Sequence, residues 1–379
     1  MKILTLVSEY PSYENEIPNI FVHKILKGLK RRGENVYVLL LDFRSFRKKR
    51  PWGFSSYEYD GIKVYRYALP VGPIYILLEY LMHFSIRRLY EYAYLKEGKP
   101  DVIHAHFGTM GYVATALNSR YSIPYIVTEH SSSLLNIDKI STQRNKFYYK
   151  GYASAQKVIA VSNVLKGKIH EKMPQLGVNV IPNVLGKEFC FSKVKKNSHF
   201  TIITVGRLVE SKRFDLLISA ISELYKEGEM IKLWIVGDGE LRDQLQLLAK
   251  QLDICNLVEF WGNKNVVELN ELYNKSHLFV LPSEFETFGV VYIEANACGL
   301  PIIATDCGGP ADIVNKSNGI LIPKNNLTAL KNAIISIKTQ YSDYSAENIS
   351  RNTIEMYGEN LICEEYIKIY RGVVREYEH

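Results

Sequence analysis

The chain has 379 residues, 47% hydrophobic and 23% charged, which suits a globular protein of two ordinary domains and excludes a disordered or fibrous one. Its longest apolar stretch, residues 69–78, is broken by Pro73 and stopped by Glu79, far short of the roughly 20 residues that cross a bilayer. A net charge of +7 implies an anionic partner, whether nucleotide, nucleic acid or membrane surface, and five scattered cysteines without metal-ligand spacing suit a reducing cytoplasm.

The opening MKILTLVSEYP reads as a strand over 2–7 halted near Pro11, not as a signal peptide. A loop, 8–19, leads into a helix over about 20–30 with apolar residues at 21, 22, 25, 26 and 29; Gly33 ends it and 36–41 is the next strand. Residues 44–54, RSFRKKRPWGF, read as an irregular segment that mixes Arg44, Arg47, Lys48, Lys49 and Arg50 with Phe46, Trp52 and Phe54. Residues 75–94, rich in Leu and Tyr with His83, Arg87 and Arg88, read as a helix. Buried strands follow at 101–105, 125–128, 158–161 and 178–181.

Residues 187–199 are charged and weakly patterned, as a linker would be. A second series of strands then starts at 201–205 and continues at 232–236, 257–260, 277–281 and 302–305, with helices between. Strands alternating with helical segments predict an α/β protein with two doubly wound parallel sheets. The end of the chain, 347–378, is helix-biased. The expected division is 1–188 and 189–345, followed by a terminal helical segment, 346–379.

Residues 280–305, VLPSEFETFGVVYIEANACGLPIIAT, read as strand, polar loop, helix, turn and strand. Pro282 stops the first strand, helical patterning starts at Phe288, and Gly299 with Pro301 ends the helix. Ligands of such sheets bind outside the carboxyl ends of the strands, where Glu286 falls. Alone, Glu286 could merely offset the helix dipole, worth about 0.3–1 kcal/mol. Glu294 stands inside an apolar helix beside Ile293 and Ala295 and needs a partner, such as ribose hydroxyls.

Three further patterns carry chemistry. In VGRLVESKRF a strand ends at Gly206, where the backbone can approach a ligand, and Arg207 and Lys212 offer charge to phosphate oxygens. DVIHAHF puts His104 and His106 on one face of a strand, and IPYIVTEH puts His130 at a strand's carboxyl end. His104 reads as a satisfied core residue. VGDGEL resembles a dinucleotide fingerprint and an oxidoreductase, but Arg242 stands where the third glycine belongs. A basic nucleic-acid binder is the other alternative; the basic residues are dispersed, and no recognition helix carries them.

Glu286, seven residues and Glu294, with Phe288-Gly289 and the Ala297-Cys298-Gly299 turn, resemble the E-x7-E signature of retaining GT-B glycosyltransferases, most closely glycosyltransferase family 4. The resemblance implies two Rossmann-like domains facing a cleft, with the last helix crossing back onto the first. It implies transfer of a hexosyl or N-acetylhexosaminyl group, with retention, from a UDP- or GDP-linked sugar to a glycan or lipid-linked acceptor. No cofactor, obligatory metal or nucleic acid is implied. The setting would be bacterial cell-surface polysaccharide synthesis, cytoplasmic or peripheral on the inner membrane face; the basic and aromatic residues of 44–54 suit either a solvated surface loop or contact with anionic lipid.

By the same resemblance, His130, Glu286, Arg207 and Lys212 are the catalytic residues. Gly206, Thr287, Phe288, Gly289 and Glu294 join Arg207, Lys212 and Glu286 in holding the donor. Relatives carry a Gly-Gly pair in the first loop, absent from SEYPSYENEIPN, so Asn19 is expected to donate from its side chain there. Asn19 and His106 are placed on the acceptor side or in support. Pro182-Asn183 resembles the family's interdomain junction, with Asn183 structural.

Overall fold

The computed structural model describes residues 1–14, 18–44, 52–70, 75–139 and 142–378, in two units. Unit one holds Met1–Val184 and Glu359–His379, and unit two holds Leu185–Gly358.

Unit one is built on an eight-stranded sheet: β1 (Lys2–Val7), β2 (Asn35–Asp42), β3 (Gly53–Tyr59), β4 (Ile62–Ala68), β5 (Val102–His106), β6 (Tyr125–Glu129), β7 (Lys157–Ala160) and β8 (Val178–Val180). Their spatial order is β3-β4-β2-β1-β5-β6-β7-β8, and only the β3–β4 pair is antiparallel. The central strands are near-continuous apolar runs because helices cover both faces. Those helices are α1 (Ile20–Arg31), α2 (Tyr75–Glu97), α3 (Gly108–Tyr121), α4 (Thr142–Ala153) and α5 (Asn163–Lys172). Chain order reverses between β1 and β5, so the loops after these two strands flank a switch point, where such sheets take their ligands.

One reading of this half is corrected. The irregular segment expected over 44–54 ends in strand β3, which Asp60 and Gly61 join to β4 through paired left-handed conformations (φ 50° and 76°). Phe54 stacks on Tyr67 of the partner strand at 4.1 Å. The cluster Arg47, Lys48, Lys49 and Arg50 lies outside the described residues, as do residues 71–74 of the apolar stretch.

Unit two carries a six-stranded, all-parallel sheet: β9 (Phe200–Val205), β10 (Ile231–Val236), β11 (Val258–Gly262), β12 (Leu278–Leu281), β13 (Ile302–Thr305) and β14 (Gly319–Ile322). The order is β11-β10-β9-β12-β13-β14, with the switch point between β9 and β12. Its helices are α6 (Phe214–Lys226), α7 (Arg242–Gln251), α8 (Val266–Lys275), α9 (Val290–Ala297), α10 (Leu327–Thr339) and α11 (Ala346–Tyr357).

The expected linker belongs to unit two. The Cys190 amide donates to Asn270 Oδ1, the Ser192 amide to Asn274 Oδ1, and Lys196 Nζ to the Ser276 carbonyl. The terminal segment also divides differently from the expected single piece 346–379. Helix α11 packs on α9, with Ser350 Oγ donating to the Ala297 carbonyl at 2.6 Å. The break falls at Gly358, and α12 (Glu359–Glu378) packs on α1 of unit one. Ile362, Tyr366, Tyr370 and Val373 of α12 join Val22, Ile25, Leu26 and Leu29 of α1 in one apolar core. A Cβ on Gly28 would come within 2.4 Å of Cys363 Sγ, so these two helices meet at glycine. Glu359, only 7% exposed, closes the contact through Arg31 and Arg32.

Candidate active site

In unit two the loops after β9 and β12 lock together. The Glu284 amide donates to the Ser211 carbonyl at 2.8 Å, and Arg213 pairs with both Asp215 and Glu284. Lys212 ends a short 3-10 turn, Glu210–Lys212, and its Nζ stands 2.6 Å from Glu286 Oε1. Ser283 Oγ donates to the same oxygen at 3.1 Å. The side chains of Lys212 and Glu286 are 22% and 12% exposed, a charge pair largely withdrawn from water. Arg207 is exposed and has no ion pair among the described residues.

The polar loop is held by a close backbone approach. Glu286 forms an isolated parallel bridge with Gly308, and the Gly309 amide donates to the Glu286 carbonyl at 2.8 Å. A Cβ at Gly309 would lie 2.4 Å from Phe288 Cα and 2.5 Å from the Thr287 carbonyl oxygen, so a glycine is required there. Thr287 is half-buried, while Phe288 is buried with its ring edge-on to Tyr357 at 5.8 Å. Gly289 takes φ 90°, which delays α9 from the expected Phe288 to Val290. Glu294 lies one helical stretch further on, 7% exposed on the buried side of α9. Its charge helps push the phenol of Tyr273 and the thiol of Cys298 upward, although burial is the larger cause for both.

Gly206 closes β9 where another loop crosses it. Its amide donates to the Val236 carbonyl, and a Cβ on Gly237 would lie 2.0 Å from the Gly206 carbonyl oxygen. A Cβ on Gly239 would lie 2.4 Å from that of Leu208. The glycines of VGDGEL therefore serve contact between two strand-end loops, which is why they resemble a dinucleotide fingerprint without completing one.

In unit one the histidines form a buried row. His104 is a satisfied core residue: Nδ1 is 2.7 Å from Tyr370 Oη, and Nε2 is 2.7 Å from Thr128 Oγ1. Its ring lies 4.1 Å from that of His106, whose Nδ1 is 3.0 Å from His130 Nε2. Phe21 and Phe107 border His130 at 4.5 and 5.4 Å between ring centroids. Burial holds His104 and His130 down to about 3 and His106 well below its usual range, with the Asn183 side chain opposing the shift at His130. Phe107, between β5 and α3, has φ 74° and ψ 144°, strained backbone for a side chain of this size.

Glu129, unread in the sequence, anchors this region. It is fully buried and accepts hydrogen bonds from the amides of Gly108, His130 and Ser131 and from Tyr152 Oη. Desolvation raises its pKa while these donors work against the shift. Its position in TEH, between a strand end and the glycine that starts α3, was a readable sign. Asn19 takes a left-handed conformation, φ 50°, and its Nδ2 donates to the Glu9 carbonyl at 2.9 Å, so one amide N–H braces the loop. Among the described residues, no three His, Cys, Asp or Glu side chains are grouped as metal ligands.

Known proteins share this architecture. The family model described as Glycosyl transferases group 1 matches residues 187–356, and Glycosyltransferase Family 4 matches 19–185. A glycosyltransferase of Haemophilus influenzae is 32% identical over 250 residues, covering 65% of this chain and 69% of its own. A sucrose-phosphate synthase structure from Thermosynechococcus elongatus superposes with a TM-score of 0.81 at 20% identity, over 99% of this chain and 100% of that one. Anabaena HepE, solved in complex with UDP and glucose, gives 0.75 at 19% identity, over 98% and 100%.

Proposed function

This chain belongs to the group 1 and family 4 glycosyltransferases, of GT-B fold, and from that premise we propose what it transfers and how. It moves a hexosyl or N-acetylhexosaminyl group from a UDP- or GDP-linked sugar to a glycan or lipid-linked acceptor, with retention and without an obligatory metal. The observation that carries this reading is the Lys212–Glu286 pair beside Ser283 at the switch point of the second sheet. The UDP and glucose bound by HepE support the donor class.

The difficult step is departure of a nucleoside diphosphate from an oxocarbenium-like carbon. Arg207, Lys212 and the amides that open α9 are assigned to the charge developing on that diphosphate, with Gly206 giving close backbone approach. Glu286, with Thr287, Phe288 and Gly289 shaping its loop, is assigned to sugar hydroxyls and Glu294 to the ribose. His130 is assigned contact with the transferred sugar, with His106 and Asn19 in support. A phosphate oxygen of the leaving group takes the proton of the acceptor hydroxyl.

The reaction is placed at an anionic membrane surface in the synthesis of bacterial surface polysaccharide. Among the described residues no helix is long and apolar enough to cross a membrane. Trp52 (45% exposed) flanks the basic cluster, and Tyr80 (68%) and Phe84 (46%) stand out along α2, as groups that seek a lipid interface do.

The test is a panel of UDP-, GDP- and ADP-sugars assayed for nucleotide release, with the anomeric configuration of the product read by NMR. One strongly preferred donor and a retained configuration are expected in metal-chelated buffer. Inversion, or activity restored only by added divalent cation, contradicts the reading.

A further inference from the structure

Three buried polar atoms around His130 make no hydrogen bond of standard geometry among the described residues: His106 Nε2, His130 Nδ1 and Asn183 Oδ1. Each ring is neutral in this setting, because burial among apolar neighbours penalises the imidazolium. Each therefore carries one N–H, and the 3.0 Å contact between His106 Nδ1 and His130 Nε2 holds a single proton. Only two arrangements satisfy this.

In the first, His130 donates from Nε2. His106 is then protonated on Nε2, leaving a buried N–H with no acceptor, and His130 Nδ1 is a bare lone pair like Asn183 Oδ1. In the second, His106 donates from Nδ1. His106 Nε2 is then a bare lone pair, while His130 carries its proton on Nδ1, where the Asn183 side chain interacts with the ring without a hydrogen bond of standard geometry. Each arrangement leaves one buried N–H outside standard geometry, on His106 Nε2 or on His130 Nδ1, and only the second sets it beside an acceptor, the Asn183 side chain, which selects that arrangement. Proximity of the Asn183 side chain, which favours protonation of the His130 ring, agrees with a donor on Nδ1.

We propose that His106 is a positioning residue that fixes His130 in the tautomer protonated on Nδ1, so that neither nitrogen of His130 is available as a base. Its Nε2 lone pair is filled by His106, and its Nδ1 donates to Asn183 or to a sugar hydroxyl. The row supplies the rigidity this needs. Tyr370 and Thr128 pin His104, the His104 ring lies against His106, and Phe21 and Phe107 border His130. The inference rests on the proposed role of His130, and it accounts for assigning the acceptor's proton to the leaving phosphate.

Long-range proton–nitrogen NMR on the full chain labelled with 15N-histidine tests it, with His130 assigned through His130→Gln. The expected spectrum shows His130 protonated on Nδ1 with a bare, hydrogen-bonded Nε2. In His106→Leu that pattern gives way to mixed tautomers, and turnover falls on the order of tenfold with donor KM nearly unchanged, the effect of one lost orienting hydrogen bond. His106→Asn, whose amide N–H replaces the donor at Nδ1, restores both. His130 protonated on Nε2 in the unaltered protein overturns the proposal, as does an unchanged His130 pattern in His106→Leu. If the leucine variant does not fold, the spectrum of the unaltered protein decides alone. Full turnover in His130→Ala would remove His130 from the reaction while leaving the tautomer assignment to the spectrum.

Discussion

Lys212 Nζ and Glu286 Oε1, 2.6 Å apart, tie the loop after β9 to the loop after β12. The lysine proposed to serve the diphosphate and the glutamate proposed to serve the sugar thus neutralise each other here. The pair keeps both groups in place and prevents either charge from being buried alone.

Replacing Lys212 or Arg207 by Ala is expected to lower turnover on the order of 10²–10³-fold, about 2.7–4 kcal/mol of barrier, with folding intact. Because Lys212 and Glu286 share one contact, the Lys212→Ala/Glu286→Gln double variant should lose less than the product of the single losses. Nucleotide release at saturating donor measures all four proteins, and strict multiplicativity would show that the pair does not act as a unit.

The two glutamates should separate by ligand. Glu294→Gln is expected to weaken binding of both the free nucleoside diphosphate and the sugar nucleotide. Glu286→Gln should keep nucleoside diphosphate affinity and lose turnover. Calorimetry with both ligands is decisive, and equal losses of nucleotide affinity refute the division.

Gly309→Ala forces a Cβ against Phe288 Cα and the Thr287 carbonyl. Overpacking of this kind costs about 1–3 kcal/mol, and here the strain falls on the backbone that aims Glu286. A lower unfolding midpoint in urea together with lost turnover is expected. Gly228→Ala, with nothing within 4 Å of its added Cβ but φ 92°, controls for backbone strain alone and should keep its turnover.

Acid should destabilise unit one. His104 and His130 are held to about 3 and His106 well below its usual range, so the unfolded chain binds more protons below pH 6.5. Their contribution is complete above that pH and is lost as pH falls, by about 1.4 kcal/mol per pH unit for each ring. Glu129, raised by burial, acts in the opposite sense, favouring the fold at low pH and losing that contribution as pH rises through its elevated value. Urea unfolding between pH 7 and 5 is expected to show falling stability, with a shallower slope in His106→Asn. A midpoint that rises on acidification contradicts the assignment.

Vesicle sedimentation addresses the membrane. The chain should bind vesicles containing anionic lipid, less at high salt, and bind neutral vesicles little. Changing Arg47, Lys48, Lys49 and Arg50 to Ser should abolish sedimentation and leave donor hydrolysis unchanged. Binding indifferent to lipid charge returns the segment to an ordinary surface loop.

Much of this architecture is local and therefore readable in one dimension. The strands at 2–7 and 302–305 agree with β1 and β13 to the residue, because apolar runs and the glycines and prolines that stop them act over a few positions. Asp60-Gly61 between alternating residues was an equally local sign of the β3–β4 hairpin, overshadowed by the basic run before it. Strand β14, four residues of GILI, is too short to show a period.

The sequence by itself determined the alternation of strands and helices and the groups at strand ends, since each follows from neighbours within one turn or one pleat. Only the tertiary structure decided the pairs. Lys212 meets Glu286 across 74 residues because β9 and β12 are adjacent, and His106 meets His130 across 24 because β5 and β6 are paired in register. Tyr370 reaches His104 across 266 residues because α12 packs into unit one. Strand order and register are global properties, set by which apolar faces bury one another, and no local pattern encodes them.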